Sequence, residues 1–343
     1  MVYGKAGHFA GWPANNGLWH WGGIEVLVAF SVGAFREQPG HNIEGPIRTL
    51  LARSLDQGET WVSDGDEPFA FQAAPRPLAT PLAFESSGAA LRVVGTGYHG
   101  SDCPSGAFFQ SSDRGRSWRG PFALTGLLEA PELAGWEITA RTDVLEEGPQ
   151  RCLMMLSARN GGWLTDRTFC ARTTDGGRTF QFVAWVVPPS DPARAVMPAT
   201  VSLRNGGLVT LLRRRLKAHQ GCWIEAFGSS DQGSRWRSLG RVAHTGEDNG
   251  NPPALCQLVD GRLCCVVGDR RRHWLLAYMS RDGGQSWGEK QVLRADFCPD
   301  RFGDADLGYP RLCQRADGQL LALYYWATID RPEQHIAATI WAP

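Results

Sequence analysis

The chain has 343 residues, 43% hydrophobic and 20% charged, the balance of a globular protein with a sizeable core and not of a disordered or fibrous one. Its 35 Lys and Arg residues equal its 35 Asp and Glu residues, so no net field holds a polyanion by counterion release, and nucleic acid is not an expected partner. No apolar run approaches the ~18 residues that cross a bilayer, so no membrane partner is expected either. The first residues lack the basic and apolar regions of a signal peptide, which points to the cytoplasm.

In chain order, Trp12, Trp19 and Trp21 come first, near the first expected strand, as blade packing or as a sugar-stacking platform. A long connection, 31–48, follows. Then comes Ser54-Leu-Asp56-Gln-Gly58-Glu-Thr60-Trp61, an eight-residue pattern that returns four times. The copies run from Ser111 to Trp118, Thr173 to Phe180, Ser229 to Trp236 and Ser280 to Trp287. Their aspartates, at 56, 113, 175, 231 and 282, lie 57, 62, 56 and 51 residues apart. Each copy has the chemistry of a tight hairpin. The Asp can accept backbone N–H groups, the Gly can take positive φ, and the aromatic opens the next strand. A second pattern places Asn205-Gly206, Asp260-Gly261 or Asp317-Gly318 between apolar strands, as where Ala199–Leu203 turns into Leu208–Leu212. Together they imply four antiparallel strands per ~55-residue unit, the period of propeller blades.

Five repeated turns and one further strand set, 309–341, imply a single all-β domain over 1–343, a six-bladed β-propeller. Residues near Val2 and Tyr3 are expected to complete the last blade and remove an exposed edge. No segment sustains the apolar spacing of a long helix. The nine cysteines form no Cys-x-x-Cys spacing and are expected to be reduced. The eight histidines are scattered, and no phosphate or dinucleotide loop occurs, so neither metal nor cofactor is expected.

The repeated turn resembles the Asp-box, or bacterial neuraminidase repeat, of the sialidase superfamily, and the resemblance covers essentially the whole chain. It implies a sialidase-like propeller whose Asp-box aspartates are structural. Strand order puts the short turns at one end and the irregular connections 31–48, 97–105, 157–167, 213–221, 268–273 and 326–335 at the other, where such a scaffold carries function. Arginine is frequent there and suits bidentate binding of a carboxylate, so the expected partner is an acidic carbohydrate. Arg36, Arg141 and Arg159 belong to this set, with Trp19 as the stacking candidate.

The resemblance also implies roles. Arg213, after Leu203-Arg-Asn-Gly-Gly-Leu208, is similar to the second carboxylate-binding arginine of sialidases, and Arg272, eight residues before Ser280, to the third. Tyr309, in Gly308-Tyr309-Pro310, is similar to the nucleophilic tyrosine. Three positions depart. Gly11-Trp12-Pro13 stands where the first arginine would precede Ile-Pro, Met197 stands for the glutamate that activates the tyrosine, and Arg48 or Thr49 lies near the acid/base aspartate. Asp306 is the nearest substitute base for Tyr309, provided that the Asp-Leu-Gly segment turns. Glu44, Asp102 and Glu137 are the acid/base candidates. These readings lead to a glycoside hydrolase, exo-sialidase-like, acting on a terminal carboxylated sugar such as a sialic or uronic acid. The alternatives are elimination from a uronate with Tyr309 as base, assisted by His99 or His219, and a non-catalytic glycan-binding propeller.

Overall fold

Six antiparallel sheets follow one another along the chain in the computed structural model, which describes residues 1–64, 69, 73–96, 103–216 and 221–343, the side chains of Arg141 and Trp163 excepted. The first contains His8–Gly11, Glu25–Phe35, Ile43–Ser54 and Val62–Ser63, with Gly17–Trp21 also paired to Glu25–Phe35. The second contains Ala90–Val94, Ala107–Ser111 and Arg119–Ala123. The third contains Glu137–Gly148, Arg151–Arg159, Arg167–Thr173 and Gln181–Trp185. The fourth contains Arg194–Ser202, Leu208–Arg215, Cys222–Ser229 and Arg237–Gly246. The fifth contains Ala254–Gln257, Leu263–Asp269, Trp274–Ser280 and Gln291–Arg294, and the sixth Gly308–Gln314, Leu320–Thr328 and Arg331–Trp341. The fold is all-β, a six-bladed β-propeller.

Four strands per blade hold for blades three to five. Blade one has five, and blades two and six have three each among the described residues. At the sixth, Tyr3 bridges Ile336 in antiparallel fashion: the Val2 and Tyr3 N–H groups donate to the Ile336 carbonyl at 2.9 and 3.2 Å, and the Ile336 N–H returns to Tyr3 at 2.8 Å. Two connections are shorter than expected because strand pairing continues into them. Glu44 thus lies within a strand opposite Ala34, and 329–330 is a two-residue turn.

The repeated turn is a closed hydrogen-bond circuit. In the first copy the Ser54 hydroxyl donates to Asp56 Oδ1 at 2.7 Å and accepts the Gly58 N–H at 2.7 Å. Asp56 accepts the Thr60 N–H at 2.9 Å and the Thr60 hydroxyl at 2.5 Å. Asp113 and Asp175 repeat it with Ser117 and Thr179. In the fourth copy Arg235 replaces the hydroxyl residue and its N–H alone supplies the bond, at 2.9 Å to Asp231. The chain direction reverses through two successive positive-φ residues. The second is glycine in every copy, and the first is Gln57, Arg114, Gly176, Gln232 or Gly283, with φ between 58 and 71°. The Thr60 hydroxyl, then its N–H, hold the Asp56 carboxyl down at about 2. Burial opposes the same effect at Asp113, but Ser117 and Ser111 still hold it at about 2. The tryptophans are wedges that remain half-buried: Trp61, Trp118 and Trp236 donate their indole N–H to the turn glycine's carbonyl at 2.9, 3.1 and 3.0 Å. Phe180, which has no N–H to place, is 1% exposed.

The chain divides into two compact units. One comprises Met1–Glu67, Arg213–Ala226 and Leu239–Pro343, and the other Pro68–Leu212 and Phe227–Ser238. In the first, an apolar cluster of Leu275, Leu307, Leu320, Tyr324 and Trp326 fills the space between blades five and six. In the second, Phe108, Leu127, Ile138, Met154, Phe169 and Phe180 pack blade two against blade three. All nine cysteines are free, as expected.

Two outcomes follow from this packing. A Cβ at Gly176, whose φ is +71°, would come within 2.7 Å of the Leu82 nitrogen and of Pro81, whereas one at Gly206, φ +80°, meets nothing within 4 Å. Gly206→Ala is expected to cost ~1 kcal/mol from backbone conformation alone, and Gly176→Ala ~2 kcal/mol or more, as read by urea denaturation. The second outcome concerns acid. Burial holds His335 down at about 4, with Arg294 and Arg331 acting in the same direction. The folded chain therefore binds fewer protons than the unfolded one between about pH 6.5 and 4, and again below about pH 4 at Asp56 and Asp113, so stability falls as pH falls through each window. His335→Gln should make the first window shallower in a series of denaturation midpoints, with burial of His20 and His244 still contributing in the same direction, and leave the second intact.

Candidate functional site

The sixth blade opens with a backbone defect. Gly308 has φ 91° and Tyr309 φ 49°, and the strand register shifts between Gly308 and Arg311. A non-glycine residue in the left-handed region costs of order 1–3 kcal/mol, and a following proline adds its own steric preference for extended backbone. Asn251 holds the defect in place. Its fully buried amide accepts the Tyr309 N–H at 2.7 Å and donates to the Leu307 carbonyl at 3.1 Å. It packs so closely on Gly308 that a Cβ there would lie 2.3 Å from Asn251 Oδ1. The same left-handed residue followed by proline occurs at Trp12-Pro13, φ 57°, and at Met197-Pro198, φ 61°. Met197 stands where the resemblance would put the activating glutamate, and Trp12 follows Gly11, where it would put the first arginine.

The bulge sets Tyr309, 3% exposed, among cations. Arg213 Nη1 donates to the Tyr309 hydroxyl at 3.0 Å, and Arg213 Nη2 donates to Asn249 Oδ1 at 2.6 Å. The Arg213 and Arg270 guanidinium carbons each lie 5.9 Å from the Tyr309 ring centroid. The Tyr325 ring meets Tyr309 edge-on at 5.9 Å. Guanidinium groups placed this way can take a ligand carboxylate.

Beside them lies a buried carboxylate. The segment before Tyr309 does turn, with the Leu307 N–H bonded to the Ala305 carbonyl at 3.0 Å, and the turn buries Asp306 completely. Asp306 Oδ1 receives His41 Nδ1 at 2.9 Å and the Tyr325 hydroxyl in a shorter contact, with Arg270 Nη2 at 3.6 Å. Burial opposes ionisation, but His41 and Arg270 together hold the Asp306 carboxyl below the usual carboxylate range. Burial, and next the Asp306 charge, push the Tyr325 hydroxyl well above its ordinary value. Trp12, 1% exposed, meets His41 edge-on at 5.0 Å and Tyr325 at 6.2 Å. Asp306 Oδ2 and Arg270 Nε are buried without a hydrogen-bond partner among the described residues.

The sequence candidates distribute unevenly around this cluster. Tyr309 and Arg213 meet. Arg270, and not Arg272, is the second guanidinium at the tyrosine, because Asp269 accepts the Arg271 N–H at 3.0 Å and Arg272 Nη1 at 2.9 Å. Those bonds turn Arg272 outward over Trp274, with a side chain 44% exposed. Asp306 bonds His41 and Tyr325, not the Tyr309 hydroxyl for which it was the expected base. Glu44 pairs with Arg36 at 2.7 Å on an exposed edge. Glu137 pairs with Arg159 at 2.9 Å, its direct cross-strand partner in blade three. Trp19 lies over Gly17, where a Cβ would come within 2.6 Å of its ring. Asp102, His99 and His219 lie outside the described residues, as does the side chain of Arg141. Among the described residues no group of three or more His, Cys, Asp or Glu side chains could hold a metal. The roles of His41, Tyr325, Asn249 and Asn251 were not read from the sequence. The one local signal for them is the strand-opening Asn251-Pro252, parallel to Tyr309-Pro310.

Comparison with known proteins places the chain. The model of the BNR repeat-like domain matches residues 49–321. No curated protein matches it. Among solved structures, a protein of unknown function from Dyadobacter fermentans superposes with a TM-score of 0.73 at 20% identity, over 99% of this chain and 96% of that one. An α-L-arabinanase of Penicillium chrysogenum, complexed with arabinobiose, gives 0.60 at 13% identity over 97% and 96%. The sialidase of Trypanosoma rangeli, in complex with sialic acid, gives 0.57 at 15% identity over 95% of this chain and 53% of that one. At these identities the likeness is one of fold. The chain belongs to the BNR repeat-like domain family, as a sialidase-like β-propeller.

Proposed function

We propose that this protein is a glycoside hydrolase that releases a terminal carboxylated sugar, with Tyr309 as nucleophile and Arg213 and Arg270 as its carboxylate clamp. The observation that carries the reading is the Tyr309 hydroxyl, 3.0 Å from Arg213 Nη1 with Arg270 beside the same ring. A phenol has an ordinary pKa of about 10 and is a weak nucleophile at neutral pH unless neighbouring charge favours its anion. Two guanidinium groups stand beside this phenol, Arg213 on its hydroxyl and Arg270 next to its ring. Arg270 Nε, buried without a partner among the described residues, is a further donor for a substrate carboxylate. That the solved structures of similar fold include a sialidase and an arabinanase supports a glycosidase without selecting the sugar.

A second reading is favoured by one observation. Among the described residues the partners of Tyr309 are Arg213, Arg270, Tyr325 and the Asn251 amide, none of them a carboxylate. Elimination from a uronate needs only a base and charge neutralisation of the sugar carboxylate, both of which this set supplies.

A screen of aryl and natural glycosides of sialic acid, uronic acids and arabinofuranose, with product analysis, separates the two. Hydrolysis gives a saturated free sugar, and elimination gives an unsaturated product with a new ultraviolet absorbance. Tyr309→Phe is expected to lower kcat roughly 100-fold or more with little change in affinity or melting temperature. Arg213→Ala and Arg270→Ala should each weaken binding of the acidic sugar by roughly 1.5 to 3 kcal/mol, about 10- to 150-fold, while Arg272→Ala leaves it within twofold. Full activity of Tyr309→Phe, or equal affinity of the wild type for an acidic sugar and its neutral counterpart, contradicts the proposal.

A further inference from the structure

The glycosidase reading leaves one role unfilled, the group that protonates the departing oxygen. Among the described carboxylate candidates, Glu44 and Glu137 are each engaged by an arginine on their own blades, and Asp306 is buried from solvent. His41 has the features that these lack. Its side chain is 39% exposed, yet Nδ1 is fixed at 2.9 Å from a carboxylate that is wholly buried. The loop that carries it is pinned at several points. The Gln38 side-chain amide donates to the His41 carbonyl at 2.9 Å and to that of Ile43 at 2.8 Å, and the Gly40 N–H donates to Asp304 at 2.7 Å. Asp304 and Asp306 belong to the segment that leads into Tyr309, so one stretch of chain positions both the tyrosine and the histidine's partner. Trp12 closes the other side of the imidazole, edge-on at 5.0 Å. The Tyr325 hydroxyl bonds the oxygen that His41 uses and fixes the rotation of the carboxylate.

We infer that His41 is the acid/base residue of the site, oriented by Asp306 and Tyr325, an assignment that rests on the proposed glycosidase activity. Asp306 keeps the Nδ1 proton in place and stabilises the imidazolium, so that the other ring nitrogen, Nε2, exchanges protons. In the first step the Tyr309 oxygen, its proton already given up to solvent, bonds the anomeric carbon as the glycosidic C–O bond breaks, and the electron pair left on the departing oxygen takes the proton from Nε2. In the second, neutral Nε2 removes a proton from water as the water oxygen attacks the anomeric carbon, and the pair of the Tyr309–carbon bond returns to the phenolate. Asp306 and Tyr325 are positioning residues in this scheme, because they act through the imidazole.

The test compares leaving groups. A nitrophenoxide departs without protonation, whereas a sugar alkoxide does not, so His41→Gln should lower kcat on a natural glycoside roughly 100-fold or more and on the nitrophenyl glycoside less than tenfold. Tyr325→Phe should show the same selectivity in weaker form. Equal losses on both substrates, or no loss on either, overturn the assignment. Wild-type inactivity on every glycoside would instead defeat the glycosidase reading, and the pair is then judged by nuclear magnetic resonance. A hydrogen-bonded His41 Nδ1 proton is expected in the wild type and lost in Asp306→Asn; its absence from the folded wild type overturns the orientation on which the inference depends.

Discussion

A carboxylate that accepts the N–H and hydroxyl of a residue four positions on, closed by a Ser or Thr hydroxyl two positions before it, is the interaction on which the blades depend. It lets the chain reverse through two consecutive positive-φ residues, a conformation that only glycine adopts freely. Each glycine is fixed in turn by its N–H to the same hydroxyl, at 2.7 to 2.9 Å in all five copies. Because the circuit is local, it forms wherever the pattern is written, and it aims the following aromatic into the space beside the sheet. Insertions elsewhere in a blade then leave the turn undisturbed, which is how connections of unequal length coexist with copies of nearly constant form.

The inner strands show the opposite economy. Trp12, Met197 and Tyr309 are left-handed residues ahead of prolines, each a local cost that surrounding structure must offset. At Tyr309 the offset is visible: Asn251 uses its amide to satisfy the displaced N–H and the Leu307 carbonyl, and the absence of a side chain at Gly308 makes room for it. The bulge changes the face on which Tyr309 lies relative to regular alternation. It is the reason that the phenol meets Arg213 and Arg270, where an unbroken strand would have presented it to the other side.

Electrostatics at the cluster is decided by compensation. Asp306 is withdrawn from solvent, a position that would ordinarily favour its neutral form, but a histidine, a tyrosine hydroxyl and an arginine share its charge. Arg270 serves two neighbours, standing beside the Tyr309 ring and within 3.6 Å of Asp306. Asp306 and Tyr309 therefore share one cation as a neighbour.

What the sequence determined by itself is whatever is written locally and repeatedly. Each of the five turns is written within eight consecutive residues, and their recurrence along the chain carries the all-β class and the blade number, so these could be read without coordinates. Tyr309 and Arg213 were legible for the same reason, since Gly-Tyr-Pro and the Asn205-Gly206 hairpin are short patterns with defined ends. The rest depended on contacts between distant segments. His41 and Asp306 are 265 positions apart, and nothing in either neighbourhood names the other. The choice of Arg270 over Arg272 follows from Asp269 capturing Arg271 and Arg272, a preference of side-chain geometry within three consecutive arginines. Tyr325 reaches Asp306 because the bulge shifts the hairpin register and pairs Gly308 with Tyr325. A one-residue shift of that kind changes every facing side chain beyond it, so only the tertiary structure could decide which groups share the site.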